Sequence, residues 1–365
     1  MKKYDLAVIG SGPAGVMAAK ATARKGMSVL MVEKGKDLAH RKDLASGWFG
    51  HGLFLMDRLE LTDLAFGNPK MIREAFRIVQ RLLGNKPRVF GRGSAKHCFL
   101  PPGFGETIAK YFLGMIVRNV DIAFNTEIDS IRLEDGGFTI GSLKKRFWAT
   151  RCLVATGCNS FEWMERMCQS LELPFVKSVA RIGIRAELPL FRAGDLSETA
   201  DQELCRDMRI NSFVGEWEDS GLLSSIAYSL PERKSGKVSF MVGAETDQMD
   251  DAVRSVKIVN VLTNDKIRVE RANDYLEGRS VLQHIECFSV LDEAFRRLGE
   301  MIPAFAAHAV VHIPEIRPLG ILQVGEDMRT PIPNFYGAGE CTSRVSTTLG
   351  AMASGLMAAK TMLKE

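Results

Sequence analysis

No two of the chain's seven cysteines, Cys98, Cys152, Cys158, Cys168, Cys205, Cys287 and Cys341, form a C-x-x-C pair. That removes the usual support for a zinc ribbon, an iron–sulfur cluster or a redox-active dithiol. An odd, scattered count without secretory features predicts a reducing, cytoplasmic setting. No apolar run reaches about 18 residues, so no membrane-spanning helix is expected. The first apolar run is short and leads into glycines, which predicts a core strand rather than a signal peptide. Charge of one sign is also scarce. Lys and Arg number 48 against 44 Asp and Glu, a net charge of +4. No dense basic run is interleaved with aromatics, so no nucleic acid partner is expected. Lys144-Lys145-Arg146 reads as a solvated turn. Internal repeats and low-complexity tracts are missing as well.

What is present begins at residue 4. Tyr4-Asp5-Leu6-Ala7-Val8-Ile9 feeds into Gly10-Ser11-Gly12-Pro13-Ala14-Gly15, and a helical stretch rich in alanine follows as far as Gly26. A second apolar run, residues 28–32, ends in Glu33-Lys34. This is a strand–turn–helix–strand–acid unit of the length that a dinucleotide-binding βαβ requires. Gly10 suits the tight turn. Gly12 lets backbone approach a pyrophosphate, and Gly15 lets the helix pack closely on the strand. The helix start, with Pro13 in its first turn and N–H groups from Ala14 onward, offers free donors and a partial positive charge to phosphates. Glu33, about twenty residues on, is placed to accept hydrogen bonds from ribose hydroxyls.

The remainder divides by texture. Residues 36–60 are rich in glycine and aromatics and include Gly47, Gly50 and His51, a composition that lets backbone approach a flat ligand. Residues 68–84 and 103–118 carry helical periodicity, and 120–126 and 128–133 look strand-like. After Ala155-Thr156-Gly157 the pattern changes to alternating apolar and charged residues, as in 180–187. Residues 222–229 and 237–242 also look strand-like, 291–302 looks helical, and a final helix is expected over about 347–363, with Ser346, Thr347 and Thr348 able to cap it. A length of 365 residues with 46% hydrophobic content suits two interleaved globular domains.

Three of these motifs, in the same order, resemble those of glutathione-reductase-type flavoproteins: the Gly10–Gly15 loop with Glu33, the Ala155-Thr156-Gly157 strand end, and Gly337-Ala338-Gly339-Glu340 near the end. The whole chain resembles a poorly characterised group of FAD-dependent dehydrogenases in that superfamily. Glu340 stands where many members have Asp. The cysteine cluster and longer N-terminal region common in related proteins are missing. Phe49 and His51 occupy places where smaller residues are common. The resemblance implies an α/β fold: an FAD-binding Rossmann-like domain with a parallel sheet, helices and a β-meander, over residues 1–176 and 315–365. A mixed, β-rich substrate or cap domain, residues 177–314, would be inserted into it. It implies FAD, non-covalently bound, contacted by Gly10, Gly12, Pro13, Ala14, Gly15, Glu33, Lys34, Gly47, Gly50, Thr126, Ile128, Ala155, Thr156, Gly157, Gly339, Glu340, Leu349, Gly350 and Ala351. The N-terminus of the last helix would face the flavin N1–C2=O edge, where reduction places negative charge.

For chemistry, His51 is a candidate proton donor or acceptor. Arg344 is a candidate for holding a substrate anion or balancing the reduced flavin. His51 and Cys341 are conceivable sites of covalent attachment. Cys98 has neighbouring positive charge but no partner and reads as an inert thiol. His308 and His312 have a helical metal-binding spacing, but the segment suits a strand. Arg181 and Arg185 share a strand face, where an anionic substrate is conceivable. The leading expectation is an oxidoreductase moving a hydride between flavin N5 and a small organic substrate, as a dehydrogenase or C=C reductase, with NAD(P)H or another electron donor or acceptor. No second G-x-G-x-x-G accompanies the first, which argues against a separate NAD(P)H domain. Two alternatives stay open. One is a flavin monooxygenase or halogenase, although no clear hydroxylase-type Asp-Gly pair follows Ala155-Thr156-Gly157 and no W-x-W-x-I-P is found. The other is a flavin- or nucleotide-binding scaffold or tRNA-associated protein without redox turnover.

Overall fold

The computed structural model describes residues 2–35, 54–57, 69–82, 88–90, 96–99, 119–157, 160–176, 180–192, 200–205, 208–214, 216–219, 225–228, 237–246, 254, 268–280, 291–318, 320–344 and 348–364. The first strand, β1 (Lys3–Ile9), pairs in parallel with β2 (Val29–Val32) on one side and β9 (Arg146–Val154) on the other. β6 (Val120–Ala123) extends the sheet beyond β2, and β18 (Phe335–Gly337) pairs in parallel with the second half of β9. The meander β7 (Ser130–Glu134), β8 (Gly137–Gly141) and β9 runs antiparallel and completes a seven-stranded sheet. Leu6, Ala7, Val8 and Ile9 in β1, and every residue of β2, are buried. A strand apolar on both faces belongs in the middle of a parallel sheet with both faces covered.

Helix α1 (Pro13–Ala23) covers one face, with Pro13 at its first turn, where a missing N–H costs nothing. Gly26 stops the chain behind it with a φ of +94°. Nearly all of α1 is buried because a second helix lies on it. A Cβ at Gly355 would stand 2.1 Å from the carbonyl oxygen of Ala14, so the two helices cross at backbone contact there. Among the described residues there are six further α-helices: α2 (Pro69–Leu82), α3 (Phe161–Ser170), α4 (Ala272–Leu276), α5 (Leu291–Met301), α6 (Phe305–His308) and α7 (Thr348–Met362), the last being the one that carries Gly355.

A second sheet is antiparallel throughout, in the order β11 (Ala200–Cys205), β12 (Met208–Val214), β15 (Lys237–Thr246), β10 (Ala180–Pro189), β17 (Val310–Pro318), β16 (Arg268–Arg271). Beside it stands a hairpin of β13 (Glu216–Asp219) and β14 (Ser225–Tyr228), and a separate small sheet of β3 (Phe54–Asp57), β4 (Arg88–Phe90) and β5 (Lys96–Phe99) meets α7 through β3. The second sheet has its own aromatic core. Phe295 stacks on Tyr275 with ring centroids 3.9 Å apart and meets Phe305 edge-on at 5.7 Å. The outgoing and returning strands of chain touch where the first sheet is left and re-entered: the Val176 N–H donates to the Ile321 carbonyl at 2.9 Å, and Phe175 bridges Leu322.

Candidate functional site

Strand register gathers the sequence motifs at one edge. Ile9 is level with both Val32 and Val154, and Gly337 is level with Val154. The segments that follow these strands are Gly10–Gly15, Glu33–Lys34, Ala155–Gly157 and Ala338–Glu340, and all four emerge side by side. Ligands of open α/β sheets bind outside the carboxyl ends of parallel strands.

The turn after β1 is held by backbone. Gly10 has a φ of +98°, and a Cβ there would stand 2.4 Å from the Ala155 carbonyl oxygen. A Cβ at Gly15 would stand 2.0 Å from the Gly10 carbonyl oxygen, which seats α1 against the turn. Gly12 differs. A Cβ there would have only the Ala155 oxygen near it, at 4.0 Å, and a Cβ at Gly157 would meet nothing within 4 Å. Among the described residues nothing fills either position. On the residue before Gly157, the Thr156 Oγ1 atom is buried with no hydrogen-bond partner among the described residues. A buried hydroxyl without a partner is costly, and a bound polar group removes the cost.

Glu33 is buried at 6% exposure, and both of its oxygens are engaged. Oε2 accepts from the Ser11 N–H at 3.1 Å and from the Ser11 hydroxyl at 2.5 Å. Oε1 accepts from the Gly35 N–H at 2.8 Å. Each carboxylate oxygen can accept more than one bond. The backbone of Glu33 also carries Thr126, whose N–H donates to the Glu33 carbonyl at 3.0 Å, and Ile128 is buried close by in sequence. Ser11 and Gly35 were not singled out from sequence. Position 11 is a variable place in the G-x-G-x-x-G pattern, and only the fold brings it to an acid 22 residues away.

The closing motif meets the opening one. Gly339 has a φ of +82°, and a Cβ there would stand 3.0 Å from the Ala14 Cβ and 3.9 Å from the Ala351 Cβ. The start of α1, the turn before Glu340 and the first turn of α7, which holds Leu349, Gly350 and Ala351, therefore converge. Glu340 and Arg344 are half-buried on the turn that leads to α7. Gly47, Gly50, His51 and the helix expected over 103–118 lie outside the described residues.

Two side readings of the sequence are resolved. Cys341 is not placed to hold a flavin covalently. Its thiol is buried and donates to the carbonyls of Ala338 at 3.2 Å and Val154 at 3.4 Å, beneath the turn. Burial pushes it up to about 12, against an ordinary 9.0, so it is a protonated, unreactive thiol. His308 and His312 do not share a helix: His308 ends α6 and His312 lies in β17, the strand that the sequence suited. Among the described residues no group of three or more His, Cys, Asp or Glu side chains is placed to hold a metal, and no helix is long and apolar enough to cross a membrane.

Residues 4–163 match the pyridine nucleotide-disulphide oxidoreductase family. That match covers under half of the chain's 365 residues. A curated relative, digeranylgeranylglycerophospholipid reductase 1 of Methanococcoides burtonii, is 49% identical over 45 residues, 12% of this chain and 11% of that protein. The match thus spans about a tenth of the curated relative's length. Three solved structures share the fold over nearly the whole chain. A flavoprotein/dehydrogenase from Cytophaga hutchinsonii has a TM-score of 0.51 at 15% identity, covering 98% of this chain and 77% of that one. A geranylgeranyl bacteriochlorophyll reductase-like protein from Thermoplasma acidophilum has a TM-score of 0.53 at 13% identity, covering 100% and 79%. A mutant of the halogenase PltM in complex with FAD has a TM-score of 0.52 at 14% identity, covering 100% and 70%.

Proposed function

We propose that this chain binds FAD non-covalently at the edge formed by Ile9, Val32, Val154 and Gly337, and acts as an FAD-dependent oxidoreductase on a small organic substrate. The observation that carries the proposal is the pair of open glycines, Gly12 at the start of α1 and Gly157, together with the Thr156 hydroxyl next to Gly157 in the chain, buried with no partner among the described residues. A pyrophosphate supplies acceptors for that hydroxyl and for the first N–H groups of α1. Glu33, fixed by Ser11 and Gly35, holds the adenosine ribose. Thr126 and Ile128 line the adenosine side, and Glu340 reaches the ribityl or pyrophosphate region. FAD, when bound, supplies the hydride donor or acceptor at its N5 position. The protein's part is to orient, to exclude water and to place charge. The first turn of α7 directs its N–H groups toward the edge of the flavin that becomes negative on reduction. Arg344 is proposed to hold a substrate anion, and His51 to move a proton.

We further propose the division into an FAD domain, residues 1–176 and 315–365, and a substrate domain, 177–314. The contact of Val176 with Ile321 supports a narrow junction between the two. The relatives' names, reductases among the curated matches and a reductase-like protein among the structures, support substrate reduction over dehydrogenation. The halogenase has the same fold, and the sequence's lack of W-x-W-x-I-P weighs against that activity. Anaerobic mixing of the purified protein with NADH or NADPH, followed by addition of a substrate panel or of O2, tests the reading. Bleaching of the flavin, with faster return of colour on an organic acceptor than on O2, is expected. Return of colour only with O2 contradicts the reductase reading and supports a monooxygenase.

A further inference from the structure

We infer that Ser354 is a positioning residue that locks the first turn of α7 to the Gly339–Glu340 turn, fixing the two segments proposed to contact the flavin in one register. The inference rests on the FAD reading above. Ser354 is fully buried, at 0% exposure, in a helix otherwise built of Ala, Met, Leu and Gly around it. Its hydroxyl accepts from the Gly339 N–H at 2.9 Å and donates to the Ala351 carbonyl at 2.7 Å. A serine that only bonds back to its own helix adds little stability, and usually costs some. Here the back-bond to Ala351 turns a lone pair outward, toward the Gly339 N–H. That N–H belongs to a residue held at positive φ between Ala14 and Ala351, with no room for a side chain.

The next residue, Gly355, admits the Ala14 carbonyl. The Ser354-Gly355 pair thus joins three parts of the proposed site: the phosphate-facing start of α1, the turn carrying Glu340, and the first turn of α7. Without the Ser354 hydroxyl the Gly339 N–H is buried with no acceptor. The turn relaxes in the empty protein and has to be rebuilt when FAD binds, so the cost falls on FAD affinity. A shift of the α7 N-terminus away from the flavin also weakens its hold on the reduced, negative form, which lowers the midpoint potential.

The test compares wild type, Ser354→Ala, Ser354→Thr and Thr361→Ala. Thr361 lies on the same helix at its far end, where its hydroxyl donates to the Asp327 carbonyl at 2.9 Å, so Thr361→Ala is the control for loss of a buried hydroxyl. FAD affinity is read by titration of the empty protein, and midpoint potential by spectroelectrochemistry. Ser354→Ala is expected to weaken FAD by about tenfold and to lower the potential. Ser354→Thr should restore both, and Thr361→Ala should change neither. Should Ser354→Ala fail to fold, Ser354→Cys, with a weak acceptor of similar size, takes its place. Wild-type affinity and potential in the Ser354 variant, or equal changes in Thr361→Ala, overturn the inference while leaving the FAD reading intact. A wild-type chain that binds no FAD overturns both.

Discussion

Ser11 binds one oxygen of Glu33 twice, through its backbone N–H at 3.1 Å and its hydroxyl at 2.5 Å. The turn that presents phosphate-binding N–H groups and the acid that would hold the ribose are therefore one rigid unit. A hydrogen bond to a charged group contributes about 1.5–3 kcal/mol. Ser11→Ala should weaken FAD by about tenfold or more, and Glu33→Ala by more again, in a fluorescence titration of the empty protein. Equal affinity in Ser11→Ala and wild type would show that the hydroxyl does not support the site.

Gly10 and Gly12 should respond in opposite ways to alanine. Gly10→Ala drives a Cβ to 2.4 Å from a backbone oxygen at a φ of +98°, so it should lower the thermal midpoint sharply or prevent folding. Gly12→Ala finds room in the protein, where the nearest atom to its Cβ is 4.0 Å away. The empty Gly12→Ala protein should melt within a few degrees of wild type and yet bind FAD poorly. Normal FAD binding by Gly12→Ala would mean that the open space is not a ligand cradle.

The helix and strand pattern of the first sheet was legible because its residues obey local rules. The β1 run, the glycine turn and the alanine-rich α1 are consecutive, and each agrees with its neighbour. The final helix, expected over 347–363, runs from Thr348 to Met362. Cys341 shows what a sequence leaves out. Its place two residues after Gly339 suggested a flavin contact, but only the fold shows the thiol turned under the turn, toward Val154. The Ser11–Glu33 and Ser354–Gly339 bonds were equally hidden, because a hydrogen bond across 22 or 15 residues leaves no periodic trace.

Buried thiols make a pH prediction. Burial pushes Cys341 up to about 12, and burial with nearby Glu165 pushes Cys168 up to about 12, while burial alone raises Cys152. The folded chain keeps these protons above the ordinary value of 9.0, where the unfolded chain releases them. Their contribution to stability is therefore complete below about pH 9 and is lost as pH rises from there toward the raised values. Urea midpoints should fall between pH 9 and 11, and less so in Cys341→Ala. Alkylation mapped by mass spectrometry at pH 8 should leave Cys152, Cys168 and Cys341 unlabelled until urea is added. Labelling of Cys341 in the native protein would contradict its assigned burial.

The core of the second sheet should fail separately from the first. Phe295 is fully buried between Tyr275 and Phe305, and cutting it to alanine costs about 3–5 kcal/mol. Phe295→Ala should lower the unfolding midpoint seen by far-UV circular dichroism, and leave FAD affinity close to wild type below that midpoint. Loss of FAD affinity in proportion to stability would contradict the proposed division of the chain.

The visible spectrum of the purified protein, recorded before and after denaturation, tests the central claim most directly. Bands near about 375 and about 450 nm that leave the chain as free FAD on denaturation are the predicted result. Bands that stay with the denatured chain would contradict non-covalent binding. A colourless protein that cannot be reconstituted with FAD would contradict the site itself.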